Sequence, residues 1–194
     1  MSLPPANMTK YYNMIGLENG SWVYENICKA VIKYCDFGLR ETEKYYRMAK
    51  IAAYKPTHKE VSFELPDEKG LKFSICIFVP IIIGLQMSDI EKYNDFVNGK
   101  NSAPLIDILG DNDIAIGYLS SLLDDLETYN LTDNNQMKKV KLSDKLNLVY
   151  DVVFGESNNN EMKSTDIGQY EFSHQMKRTI LNVVNMQSDY TSYE

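Results

Sequence analysis

Two short runs of alternating apolar residues constrain this chain more than any other feature. In Val61-Ser62-Phe63-Glu64-Leu65 every second side chain is apolar, and Leu71, Phe73, Ile75, Ile77 and Val79 repeat the pattern. A period of two places one set of side chains on one face of a pleated strand. The connection Pro66-Asp67-Glu68-Lys69-Gly70 joins the runs. Five residues containing Pro and Gly predict a β-hairpin. Phe78 falls on the otherwise polar face, and Ile81-Ile82-Ile83 follows, so both faces of the sheet are expected to be covered there. A second alternation runs through Val140, Leu142, Leu146, Leu148, Tyr150, Val152 and Phe154. A polar, Asn-rich loop from Gly155 to Asp166 separates it from a return strand carrying Tyr170, Phe172 and Met176.

Helical periodicity surrounds these segments. Val23, Ile27, Ala30, Val31 and Tyr34 form a stripe that Cys35, Leu39, Tyr46, Ala49 and Ala53 continue. Ser21 is a plausible N-cap, Gly38 a point of kinking or splitting, and Pro56 a terminator. Ser88-Asp89-Ile90-Glu91 has capping-box spacing and opens a short helix that closes near Asn98-Gly99. Ser102-Ala103-Pro104 starts another, ending at Gly110. Asp111-Asn112-Asp113 caps a third that reaches about Tyr129, and a last helix passes through Ile180, Val183 or Val184, and Gln187. The expected architecture is therefore α+β. A small antiparallel sheet from two hairpins, at about 59–85 and 138–176, packs against a long N-terminal helix and short central helices. Residues 1–19 read as an N-terminal arm, 20–187 as one domain and 188–194 as a tail.

Composition bounds the function classes. Of 194 residues, 44% are hydrophobic and 24% charged, which fits a globular chain and not a disordered one. The net charge of −7 argues against a general nucleic-acid binder, because phosphate neutralisation needs clustered cations. The longest apolar stretch, Ile75 to Leu85, is interrupted by Pro80 and Gly84 and falls short of the roughly 20 residues a spanning helix needs. The first residues lack a basic segment and a long apolar segment, so no signal peptide is expected and the location reads as cytoplasmic, or virion for a viral protein. Cys28 and Cys35, on one predicted helix and roughly 10 Å apart, are too distant for a disulfide.

Motifs for chemistry are missing. No Gly-rich phosphate loop, nucleophile elbow or zinc spacing occurs, and the only histidines are His58 and His174. Asp111-x-Asp113 resembles the start of a calcium loop, but Ala115 and Ile116 stand where a ligand and a glycine are needed, so helix capping is preferred. Asp124, Asp125 and Glu127 diverge around a helix and do not converge on one substrate. No cofactor, metal or catalytic residue is expected.

Charge layout is the informative signal. Residues 101–137 carry Asp107, Asp111, Asp113, Asp124, Asp125, Glu127 and Asp133 with no Lys or Arg, equal to the net charge of the whole chain. Residues 40–59 carry Arg40, Lys44, Arg47, Lys50, Lys55 and Lys59 against Glu41 and Glu43. Unlike patches on one molecule favour oriented docking. Tyrosines concentrate as pairs, Tyr11-Tyr12 and Tyr45-Tyr46, and tyrosine is enriched at interfaces. The expected function is a non-enzymatic subunit of a larger protein assembly, with a viral or phage particle component as one form, docking through these charged and tyrosine-rich faces. The expected partners are other protein subunits, in a homo-oligomer or hetero-assembly, with no membrane and no nucleic acid. Stacking of single-stranded bases on Tyr45-Tyr46 is a weaker alternative. The main alternative is a small acidic inhibitor that covers a basic enzyme with residues 107–133.

Overall fold

The computed structural model describes residues 22–57, 68–110, 142–155, 164–167 and 170–185. Within them the chain is mostly helical. α1 spans Trp22–Tyr34, α2 Leu39–Thr57, α3 Glu68–Ser88, α4 Ile90–Val97, α5 Ala103–Gly110 and α6 Leu142–Phe154. A short antiparallel pair follows, β1 Ser164–Ile167 with β2 Tyr170–Ser173, and then α7 Gln175–Asn185. The expected α+β fold with a sheet of two hairpins is overturned. The segment of the first predicted return strand is helix α3, and the second alternation from Leu142 to Phe154 lies in helix α6. Among the described residues only β2 falls where a strand was expected, while the predicted strand at 61–65 and Val140 lie outside them.

The reason lies in burial. From Phe73 to Leu85 every side chain of α3 except the half-buried Cys76 is buried. A segment enclosed on all sides needs apolar residues everywhere, so its periodicity carries no information, and its length then favours helix over strand. α3 is the central axle of the described structure: α1, α2, α4, α5, α7 and β2 all pack on it. It accommodates Pro80 in its interior, a position that removes one helical amide donor. In α6 the buried set Leu146, Val149, Tyr150 and Val153 has helical spacing, whereas Leu148, counted into the alternation, is exposed.

The helical ends follow local chemistry. α1 and α2 are separate helices, divided at the turn through Asp36, whose φ of 52° is left-handed. Short polar side chains tolerate that region best after glycine. At the start of α2 the Glu41 carboxylate accepts from the Gly38 amide at 2.8 Å. α4 is capped by Asp89 and not by Ser88. The Asp89 carboxylate accepts from the amides of Glu91 and Lys92, both at 3.1 Å, while the Ser88 hydroxyl donates to the Gly84 carbonyl. Those amides hold the Asp89 carboxyl below its ordinary range. Asp89→Ala should fray α4 and lower the melting temperature at neutral pH, whereas Asp89→Asn, which keeps an acceptor, should retain most of it. Because the carboxyl is depressed, the difference between wild type and Asp89→Asn should shrink as pH falls from about 4 and vanish below the lowered folded value. Thermal denaturation monitored by circular dichroism measures both effects.

Two contacts close the core around α3. Phe78, Phe96, Tyr150 and Phe154, from α3, α4 and α6, form an aromatic cluster with ring centroids 5.0–6.3 Å apart. The Tyr150 hydroxyl donates to the Phe96 carbonyl at 2.8 Å, so its one polar atom is satisfied. Phe73 meets Phe172 edge-on at 5.4 Å, fastening β2 to the first turns of α3. After α4 the chain turns at Gly99, whose φ is +74° and where an added Cβ would stand 2.3 Å from the Phe154 carbonyl oxygen, so only glycine fits.

Candidate interaction surface

α2 divides cleanly around its circumference. Thr42, Tyr45, Tyr46, Ala49 and Ala52 are buried against the core. Leu39, Arg40, Glu43, Lys44, Arg47 and Lys50 are exposed, and at 3.6 residues per turn they share an arc of about 140°. The four predicted basic-face residues thus lie together on one solvent-facing surface. Glu43 lies 3.8 Å from Arg47, an exposed i,i+4 pair of small energetic weight.

The predicted interface aromatics do not join them. Tyr45 is 0% exposed and Tyr46 3% exposed, so this pair is corrected from surface to core. The Tyr45 hydroxyl donates to the Pro80 carbonyl at 3.2 Å, and its ring lies 5.6 Å from that of Phe37. The positions follow from geometry: both fall in the arc of α2 turned towards α3, while the neighbouring cations fall outside it. Tyr11 and Tyr12 lie outside the described residues.

Of the predicted acidic face, Asp107 is described and exposed on α5, which packs on α1, α3 and α6. Asp111, Asp113, Asp124, Asp125 and Glu127 lie outside the described residues. A different acidic surface is visible on α4. Glu91 and Asp95 are both exposed, one helical turn apart, beside the exposed Ile90. Their i,i+4 spacing in the sequence was the available signal. Lys92 stands to one side, 3.7 Å from the Asp89 carboxylate and 5.8 Å from the Tyr34 ring centroid.

Nothing among the described residues resembles an activated catalytic group. All three thiols are free. Burial pushes the Cys28 thiol well up and Cys76 up to about 12, and it also raises half-buried Cys35 despite the Ser88 hydroxyl 3.4 Å away. These are the opposite of reactive thiolates. His174, half-buried at the turn before α7, has its Nδ1 buried without a hydrogen-bond partner. No group of His, Cys, Asp or Glu among the described residues could hold a metal ion. No helix among them is long and apolar enough to cross a membrane.

The buried acids give a pH signature. Burial raises Tyr24 and Tyr45 well above the ordinary tyrosine range and Tyr150 to about 12. For groups neutral when protonated, a raised folded value means their contribution is complete below the unfolded values, about 8.5 for Cys and 10 for Tyr. It is lost as pH rises from there through about 12. The protein should therefore unfold cooperatively in that alkaline window, with buried tyrosinate absorbance and loss of ellipticity appearing together. Complete tyrosine ionisation near pH 10 with ellipticity unchanged would contradict this burial. Comparison of the chain with protein-family models, with curated proteins and with solved structures finds no match.

Proposed function

We propose that the protein is a non-enzymatic subunit of a larger protein assembly, and that the exposed face of α2 is a docking face for an acidic protein surface. One observation carries this reading: Arg40, Lys44, Arg47 and Lys50 share a single exposed arc, with Glu43 as the one acid on it. Among the described residues, no ion pair engages Arg40, Lys44 or Lys50.

The buried residues of α2 narrow the partner class. With Tyr45 and Tyr46 in the core, that tyrosine pair offers no ring on which a base can stack. Among the described residues of α2 the one exposed large apolar side chain is Leu39, too little for an interfacial helix that inserts an apolar face into lipid. What remains is a set of four cations on one arc of a helix packed against the core, suited to carboxylates presented by another protein. The inhibitor reading rests on residues 107–133, of whose acids only Asp107 is described, and no structural observation favours it.

The test is the native state of the full chain in extracts of its source. Sedimentation at low salt should place it in a species larger than the 22.3 kDa protomer. The variant carrying Arg40→Glu, Lys44→Glu and Lys50→Glu should leave that species while keeping its helical circular dichroism. A wild-type chain that sediments as a lone protomer would end this reading.

A further inference from the structure

α2 and α4 carry the same surface pattern with opposite signs. Leu39-Arg40-x-x-x-Lys44 opens α2, and Ile90-Glu91-x-x-x-Asp95 opens α4. In both, an apolar residue precedes a charge, and a like charge follows one turn later. All six side chains are exposed. Leu39 and Ile90 are 49% and 59% exposed, two of the three large apolar side chains exposed among the described residues. On each helix the two charges are four residues apart, about 6 Å along the axis. The spacing of the cations therefore matches the spacing of the anions.

On one protomer the two charged faces are not paired with each other. α2 and α4 each pack on α3, and neither is a main packing neighbour of the other. Among the described residues, no ion pair neutralises Arg40, Lys44, Glu91 or Asp95. From this complementarity we propose that the acidic partner of α2 is a second copy of this chain, which presents its α4. Arg40 and Lys44 face Glu91 and Asp95, with Leu39 and Ile90 at the edge of the contact, because on each helix the apolar residue lies about 100–140° around the axis from the two charges. The inference rests on the docking role of α2 proposed above and names its occupant.

Net charge does not forbid this association. Two copies each carrying −7 repel at long range, but at physiological salt the screening length is about 8 Å, so facing pairs outweigh distant ones. A contact of two short helical faces lies at the small end of interfaces, so it should be weak, reversible and salt-sensitive.

The test uses the purified full chain alone, by size-exclusion chromatography with light scattering. At low salt the expected mass is at least twice 22.3 kDa, falling to the protomer in about 1 M salt, where screening shortens to about 3 Å. Arg40→Glu with Lys44→Glu should be monomeric alone, and so should Glu91→Lys with Asp95→Lys. Mixed in equal amounts, the two variants should associate again, because each retains the face the other has lost. Should charge reversal unfold either variant, the corresponding pairs of Gln substitutions serve, and each should then lower self-association at least tenfold. A wild-type chain monomeric at low salt, or variants that do not complement, overturns the inference. If the purified chain is monomeric while the α2 variant still leaves the native assembly, the partner is a different protein. The docking role then stands without this occupant.

Discussion

Replacing Phe154 by alanine should cost about 3–5 kcal/mol, the loss typical of a large aromatic removed from a core that cannot collapse around the gap. Phe154 is 0% exposed and touches three other rings: Phe78 at 5.0 Å, and Phe96 and Tyr150 each at 5.6 Å. Those rings come from three helices, so no single backbone shift can fill the void. Against a typical total of about 5–15 kcal/mol, the loss removes a large share of the stability. Urea denaturation should show a lower midpoint with the slope unchanged. Phe154→Leu, which keeps most of the volume, should cost less. A loss under about 1 kcal/mol for the alanine variant would mean that the cluster is looser than its geometry indicates.

The second large effect concerns the α1–α3 crossing. A Cβ on Gly84 would stand 2.2 Å from Cγ1 of Val31, which is itself fully buried. Valine has little rotameric freedom within a helix, so the methyl cannot simply turn away. Gly84→Ala should therefore destabilise by about 1–3 kcal/mol, as overpacking does. This holds even though alanine is favoured over glycine in a helix by about 1 kcal/mol. Combining it with Val31→Ala should recover part of the loss, since the second change removes the clashing methyl. A coupling of about 0.5–3 kcal/mol in the double-mutant cycle is expected. Strict additivity would place the strain elsewhere.

The helices with one wet face were legible in the sequence, and the enclosed one was not. In α1 the positions Ile27, Cys28, Val31 and Ile32 are buried while Lys33 is exposed, and that contrast between faces is what periodicity detects. α4 and α5 were legible through their ends, at Asn98-Gly99 and at Gly110. α3 offers no contrast, so its chance alternation of Leu71, Phe73, Ile75, Ile77 and Val79 mimicked a strand. The β-branched residues and the Pro–Gly turn before them strengthened the mistake. In α6 the even-numbered apolar residues coexisted with the helical set, and only burial of Val149 and Val153 decides between the two periods.

The candidate surface was half legible for a similar reason. Charged residues avoid full burial, so Arg40, Lys44, Arg47 and Lys50 could be assigned to solvent from identity alone. Tyrosine belongs to either side, and which arc of α2 faces inwards depends on α3, whose helical nature the sequence concealed. The acidic pair on α4 was overlooked because the longer acidic run from Asp107 to Asp133 dominated the charge map.

A central element lined by partners from distant parts of the chain has a consequence for synthesis. α3 is made early, yet β2 and α7, which cover part of it, begin about 80 residues after it ends. Until they emerge from the ribosome, a strongly apolar rod is left partly uncovered, and contacts between residues so far apart in sequence form slowly. Polypeptides halted before Tyr170 should therefore be sticky intermediates that require holding by chaperones, whereas release of the finished chain should permit rapid compaction around the rod.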